Sequence, residues 1–229
     1  GTKKEPKLEL LRRYGWGVPT EDAVLRSSRQ SVTLVTQDTF VPFEGNEYKM
    51  RRFRLHAMPW PVEVLESIGA GDVTLKVTLS YFVEPAASRR GWRQRYSYAS
   101  HLLRFELKSP TETETEFISR INRDAEDDEE STRSAPSSGS DRWFIGPNQR
   151  NLGSLHQDIW EGSGQELAAS GVIGVYPVGG WWKRNQRKDR LNLPIRYSLI
   201  VSLKSREQDV DLYTPIATDL QLPIEIDGA

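Results

Sequence analysis

The segment Val73-Thr74-Leu75-Lys76-Val77-Thr78-Leu79-Ser80-Tyr81 decides the fold class. Its apolar residues occupy every second position, and a period of two places Val73, Leu75, Val77, Leu79 and Tyr81 on one sheet face with Thr, Lys and Ser on the other. Ile195, Tyr197, Leu199, Val201 and Leu203 repeat the pattern opposite Arg196, Ser198, Ser202 and Lys204. Phe53, Leu55 and Ala57 alternate with Arg52, Arg54 and His56, and Leu103, Phe105 and Leu107 with Arg104, Glu106 and Lys108. Residues 172–178 are apolar on both faces apart from Gly174, which predicts a central strand. Shorter strands are expected at 31–37, 142–145 and 155–160. Strands with one polar face, separated by Gly, Pro and Asp turns, predict an all-β protein: an antiparallel β-sandwich with a few short helices.

Three helical pieces interrupt the strands. Residues 20–28 read as a helix capped by Thr20, with Glu21 and Asp22 in its first turn. A second starts at Pro61, carries Val62, Val64, Leu65 and Ile68, and closes at Gly69. A third, over 111–125, presents Phe117, Ile118 and Ile121 as an apolar stripe that would lie against the sandwich. Asp124-Ala125-Glu126-Asp127-Asp128-Glu129-Glu130 then places six acids in seven residues, and Ser131 to Ser140 adds Ser, Pro and Gly. Such a stretch buries too little apolar surface to offset its ordering entropy, so about 125–141 is expected to be a flexible acidic excursion.

The composition excludes several classes. A chain of 229 residues can bury roughly 70% of its unfolded surface without a disulfide or metal. Zero cysteines remove thiol nucleophiles and thiolate metal sites. Thirty-one Lys/Arg against 32 Asp/Glu argue against a general nucleic-acid binder. No run approaches 18 apolar residues, so no membrane-spanning helix is expected. The sequence begins Gly1-Thr2-Lys3 without an initiating Met, and is expected to be a fragment or processed product.

Candidate chemistry is sparse. Of the three histidines, His56, His101 and His156, the last stands two residues before Asp158, a spacing that puts both on one strand face where a metal needs a third ligand. No G-x-S-x-G elbow and no glycine-rich phosphate loop occurs. The acidic run lacks calcium-loop spacing. Arginines gather at 51–54, 89–95 and 184–190; the last two groups carry Trp92 and Tyr96, or stand beside Trp181 and Trp182. Basic residues interleaved with aromatics can follow a single nucleic-acid strand, but the balanced charge makes solvated loops the expected reading. Among seven tryptophans, Trp92, Trp181 and Trp182 are the candidates for exposed contact with a ligand such as a carbohydrate, or with a partner.

The opening Leu10-Leu11-Arg12-Arg13-Tyr14-Gly15-Trp16-Gly17-Val18-Pro19-Thr20 and Ala23-Val24-Leu25 resemble the closing stretch of a subtilisin-like serine protease domain. Further segments resemble the C-terminal region of bacterial subtilases: Leu75 to Pro85, Tyr98 to Phe105, Gly153 to Trp160, Tyr176 to Lys183 and Arg196 to Leu203. The likeness spans most of 8–216, the acidic stretch excepted. The family's aspartate, histidine and serine motifs (D-[ST]-G, H-G-T and G-T-S-M-A) are absent, so no catalytic residue transfers and this chain is expected not to be an enzyme. The resemblance implies that 1–28 close a catalytic domain and that 29–229 form an accessory, jelly-roll-like β-sandwich. Tyr14, Gly15, Trp16, Gly17 and Pro19 would make the inter-domain contact. The implied partner is the subtilase catalytic domain of the same parent, with an AAA-type ATPase as a second; the implied location is cytoplasmic, and no cofactor is implied.

Overall fold

The computed structural model describes residues 28–41, 43–44, 50–51, 53–82, 102–130, 142–146, 154–178 and 194–221. Nine strands form two antiparallel sheets and a two-stranded ribbon among these residues. The larger sheet has the order β1-β9-β5-β7: β1 (Ser31–Phe40), β9 (Ile195–Ser205), β5 (Asp72–Tyr81) and β7 (Leu155–Ser163). The smaller sheet has the order β4-β8-β6: β4 (Arg54–Ala57), β8 (Val172–Val178) and β6 (Leu102–Leu107). The ribbon pairs β2 (Phe43–Glu44) with β3 (Met50–Arg51). From β4 onward each strand crosses to the opposite sheet, and the pairs β1·β9, β4·β8 and β5·β7 nest about β6. Nested pairing of this kind is a long antiparallel hairpin rolled on itself, a jelly-roll-like form of the antiparallel sandwich that the periodicity predicts.

The core follows from the register. Val73, Leu75, Val77 and Leu79 are fully buried and face Leu199, Val201 and Leu203, while β7 adds Trp160 opposite Leu75. The intervening Thr74, Lys76, Thr78 and Ser80 form the half-buried outer face. β8 is the central strand of its sheet, as its two-sided apolar pattern predicts.

The smaller sheet corrects a reading. Alternation predicted that Arg104 and Glu106 on β6 would face solvent, yet both are buried. The reason is the helix α2 (Glu114–Glu130), which lies over the outer face of this sheet. It approaches β8 closely: a Cβ on Gly174 would stand 2.7 Å from Ile121 Cδ1 and 3.2 Å from Phe117 Cζ, so any larger residue there would have to displace those side chains. The Arg120 guanidinium, with its side chain 7% exposed, donates to both Glu112 carboxylate oxygens (2.8 and 3.0 Å) and to the Leu107 carbonyl (3.0 Å). It also stands 3.6 Å from Glu106. Burial raises the Glu112 carboxyl, but the Arg120 and Ser109 hydrogen bonds and the nearby Arg120 and Lys108 charges together hold it below the ordinary value. A Thr113–Glu116 capping box starts α2. The helix runs through the acidic stretch to Glu130, beyond residue 125, where composition predicts the excursion to begin. Phe117 and Ile121 are buried and anchor its first half, and glutamate has a good intrinsic helix propensity. Residues 131–141 lie outside the described residues.

Two short helices close one end of the sandwich. α1 (Val62–Ile68) follows Pro61 and ends at Gly69, whose φ of +60° allows the reversal. α3 (Gly164–Ala169) starts at a Ser163–Glu166 capping box and packs against α1, with Leu65 and Leu167 fully buried. A fourth, α4 (Tyr213–Asp219), adds Ile216 to the core and accommodates Pro215 in its first turn, where no intrahelical N–H is needed. Residues 142–146 make a single bridge, Trp143 to Trp160, where a strand was expected. The helix expected at 20–28 lies outside the described residues except for Ser28.

Candidate functional site

At the end opposite α1 and α3, the inner face of the large sheet turns polar. Register sets Asp38 on β1 beside Tyr197 on β9, and Tyr197 beside Tyr81 on β5, one row across three strands. From the facing sheet β4 contributes Arg54 and His56, two residues apart and therefore on the same side. Sequence alternation assigned that side of β4 to solvent. Instead Leu55 lies on the face of Gly174, toward α2, and Arg54 and His56 point across the sandwich. Polar residues occupy the inner side because they meet polar partners there.

The contacts form a chain between the sheets. Tyr197 Oη and His56 Nε2 are 2.6 Å apart, with the rings edge to face at 5.8 Å. Tyr197 Oη also donates to Asp38 Oδ2 at 3.5 Å, and Arg54 Nε donates to the same oxygen at 2.9 Å. The Thr39 backbone N–H reaches Asp38 Oδ1 at 2.6 Å. Burial lowers the His56 imidazole below its ordinary value, against the pull of Asp38 and with a smaller push from Arg54. Burial, with the Asp38 charge, drives the Tyr197 phenol well up. The pair is therefore a neutral imidazole and a neutral phenol at neutral pH, suited to orienting groups by hydrogen bonding.

Deeper in, Tyr81 Oη and His156 Nε2 are 3.2 Å apart with stacked rings, and burial drives that phenol up as well. His156 and Asp158 do share a face, as their spacing predicts. Both are buried, and Asp158 accepts the backbone N–H groups of Ile145, Gly146 and Ile159 at 2.9, 3.0 and 2.9 Å, fastening residues 142–146 to β7. Among the described residues no group of three His, Cys, Asp or Glu side chains is placed to hold a metal ion.

A cleft of about 540 Å³ lies at this end of the sheet, lined by Asp38, Tyr81 and Tyr197 and by the residues that alternate with them, Gln37, Thr39, Ser80, Arg196 and Ser198, with Phe82, 71% exposed, at its edge. A second cleft, about 530 Å³, lies beside α3 and is lined by charges. There Arg206 pairs with Asp72 (3.3 Å) and Glu161 (3.5 Å), and Arg142 with Glu166 (2.7 Å). The Ser163 N–H, and less strongly the Ser163 hydroxyl and Arg142, hold the Glu166 carboxyl below its ordinary value although its partial burial opposes this.

Tyr14, Gly15, Trp16, Gly17 and Pro19, and the ligand candidates Trp92, Trp181 and Trp182, lie outside the described residues, as do the arginine groups at 89–95 and 184–190. Trp60, Trp143 and Trp160 are core residues, each at most 7% exposed. Sequence reading missed Asp38, whose signal is a lone carboxylate on the Val32–Leu34 face of its strand. It also passed over Tyr81 and Tyr197 as simple core positions. No described helix is long and apolar enough to cross a membrane. No family model and no curated protein matches this chain.

Proposed function

We propose that this chain is a non-catalytic accessory jelly roll from the C-terminal region of a subtilisin-like serine endopeptidase, which steadies the catalytic domain or controls access of substrates and partners to it. The observation that carries the reading is the sequence resemblance, borne by segments that include residues of β5, β6, β7, β8 and β9 and so draw on both sheets. The use of the described histidines is in keeping with it. His56 and His156 each bond a tyrosine of the large sheet, as cross-sheet or core contacts do. In this reading Tyr14 to Pro19 dock on the catalytic domain of the same parent chain, and an AAA-type ATPase acts on the assembly in the cytoplasm.

The test is the native protein in its source cells, captured with an antibody to this chain and mapped by peptide mass. The expected species is well above 26.2 kDa, with upstream peptides carrying H-G-T and G-T-S-M-A. A native species of this size lacking both motifs overturns the reading.

A further inference from the structure

The cleft at the polar end has the make-up of a ligand site. Phe82 leaves an aromatic face uncovered at the end of β5, anchored through its N–H to the Arg196 carbonyl at 3.4 Å. Beside it the register lays out a row of hydrogen-bonding side chains, Gln37 opposite Ser198 and Ser198 opposite Ser80, with Thr39 opposite Arg196. Asp38, Tyr81 and Tyr197 line the cleft from the alternate positions of the same strands, and on the inner side of the sheet Asp38 and Tyr197 are fixed by contacts of 2.6 to 3.5 Å with each other and with Arg54 and His56. A sheet already held by its own bonds loses little freedom when a ligand settles on it.

The charges select the ligand class. Arg196 brings one positive charge and Asp38 one negative, and Asp38 is itself paired with Arg54. A cleft without a dominant sign of charge gives an anionic ligand no concentrated field. Hydroxyl and amide walls likewise suit an apolar peptide poorly, since burying them unpaired costs free energy. What fits is a neutral molecule with one apolar face and a rim of hydroxyls. We propose that this cleft binds a neutral pyranose ring of an oligosaccharide, its C–H face stacked on Phe82 and its hydroxyls bonded by Gln37, Arg196 and Ser198. A volume of about 540 Å³ accommodates one or two such rings. The site uses none of the tryptophans that the sequence singled out for carbohydrate, and it stands whether or not the chain belongs to a protease.

The whole chain is titrated by calorimetry with cellohexaose, chitohexaose and maltohexaose, and with a heparin hexasaccharide as the anionic arm. One neutral hexasaccharide is expected to bind, and Phe82→Ala and Arg196→Ala should each weaken it by at least about tenfold. Phe82→Trp should preserve binding, which guards against misreading a folding defect in the alanine variant. Arg206→Ala in the far cleft should change it less than about twofold. Three outcomes overturn the proposal: silence from all three neutral sugars, binding that ignores Phe82 and Arg196, or binding of heparin alone with a steep salt dependence.

Discussion

The two ends of the sandwich are closed by opposite means. Where β5 begins and β7 ends, α1 and α3 push Leu65 and Leu167 into the gap between the sheets. The fit is close: a Cβ on Gly164 would stand 2.4 Å from the Leu65 carbonyl oxygen. Where β5 ends, the same sheet presents Asp38, Tyr197 and Tyr81 in a row, and β4 answers with Arg54 and His56. An apolar plug stabilises through area removed from water and through dense contacts. A neutral hydrogen bond contributes only about 0.5–1.5 kcal/mol net, because water offers the same partners to the unfolded chain. The polar end is thus the weaker closure, but it holds donors and acceptors in fixed positions beside a cleft. Stability is concentrated at one end and chemistry at the other.

The largest test of that division is Leu65→Ala. Removing a fully buried leucine leaves a cavity between α1 and α3 and should cost about 2–5 kcal/mol. Chemical denaturation should show a lower midpoint with an unchanged slope. A loss below about 1 kcal/mol would mean that the helices cover the end without supporting it, and the contrast between the ends would break.

The polar end should respond to pH and only modestly to truncation. The imidazole of His56 is lowered by burial, so the unfolded chain takes up a proton near pH 6.5 while the folded chain does not yet do so. The sign follows: His56 leaves stability intact above that value and removes it as pH falls from about 6.5 through the lower folded value, where the loss levels off. Asp38 on β1 opposes the shift, Arg54 on β4 adds to it, and neutral Tyr197 on β9 is the hydrogen-bond partner. The His56 share is the difference between the wild-type pH profile and that of His56→Gln. Tyr197→Phe, which strips the 2.6 Å contact, should cost about 0.5–1.5 kcal/mol at neutral pH. A pH profile identical in wild type and His56→Gln would place the imidazole in water and dissolve the cross-sheet chain.

At the plugged end the sequence showed α1 but not the short α3, and at the polar end it showed the strands but not their partners, for a physical reason. Alternation reports which side of a strand is apolar, and it located β5, β9 and the pattern of α1 because those elements bury their apolar sides. It fails where a polar side is also covered. On β6, Arg104 and Glu106 lie under α2, which packs through Phe117 and Ile121 over Gly174, a residue more than fifty positions away in sequence. On β4 the alternation of Leu55 with Arg54 and His56 is correct, yet the inward side is the polar one. Asp38 and Tyr197 meet across 159 residues. Single-strand periodicity carries no information about such a pairing.

The smallest effects compare two arginines. Arg54 and Asp38 have side chains 45% and 36% exposed at 2.9 Å, while Arg206 and Asp72 stand at 62% and 68% at 3.3 Å. Both pairs are wet, so neither approaches the several kcal/mol of a fully desolvated contact. They differ in what else the carboxylate holds: Asp38 also accepts from Thr39 N–H and Tyr197 Oη, so Arg54→Ala leaves a carboxylate bound to the mouth without its counter-charge. Arg206 bridges Asp72 and Glu161 at the rim of the charged cleft, and its loss frees both acids into solvent. Arg54→Ala should therefore cost about 0.5–1 kcal/mol, and Arg206→Ala about 0–0.5 kcal/mol, with the second vanishing in high salt. Paired denaturation curves at low and high salt check this order. If Arg206→Ala proves the costlier change at both ionic strengths, the charged cleft is a structural element and not a solvated rim, and the polar end loses its claim to be the organised one.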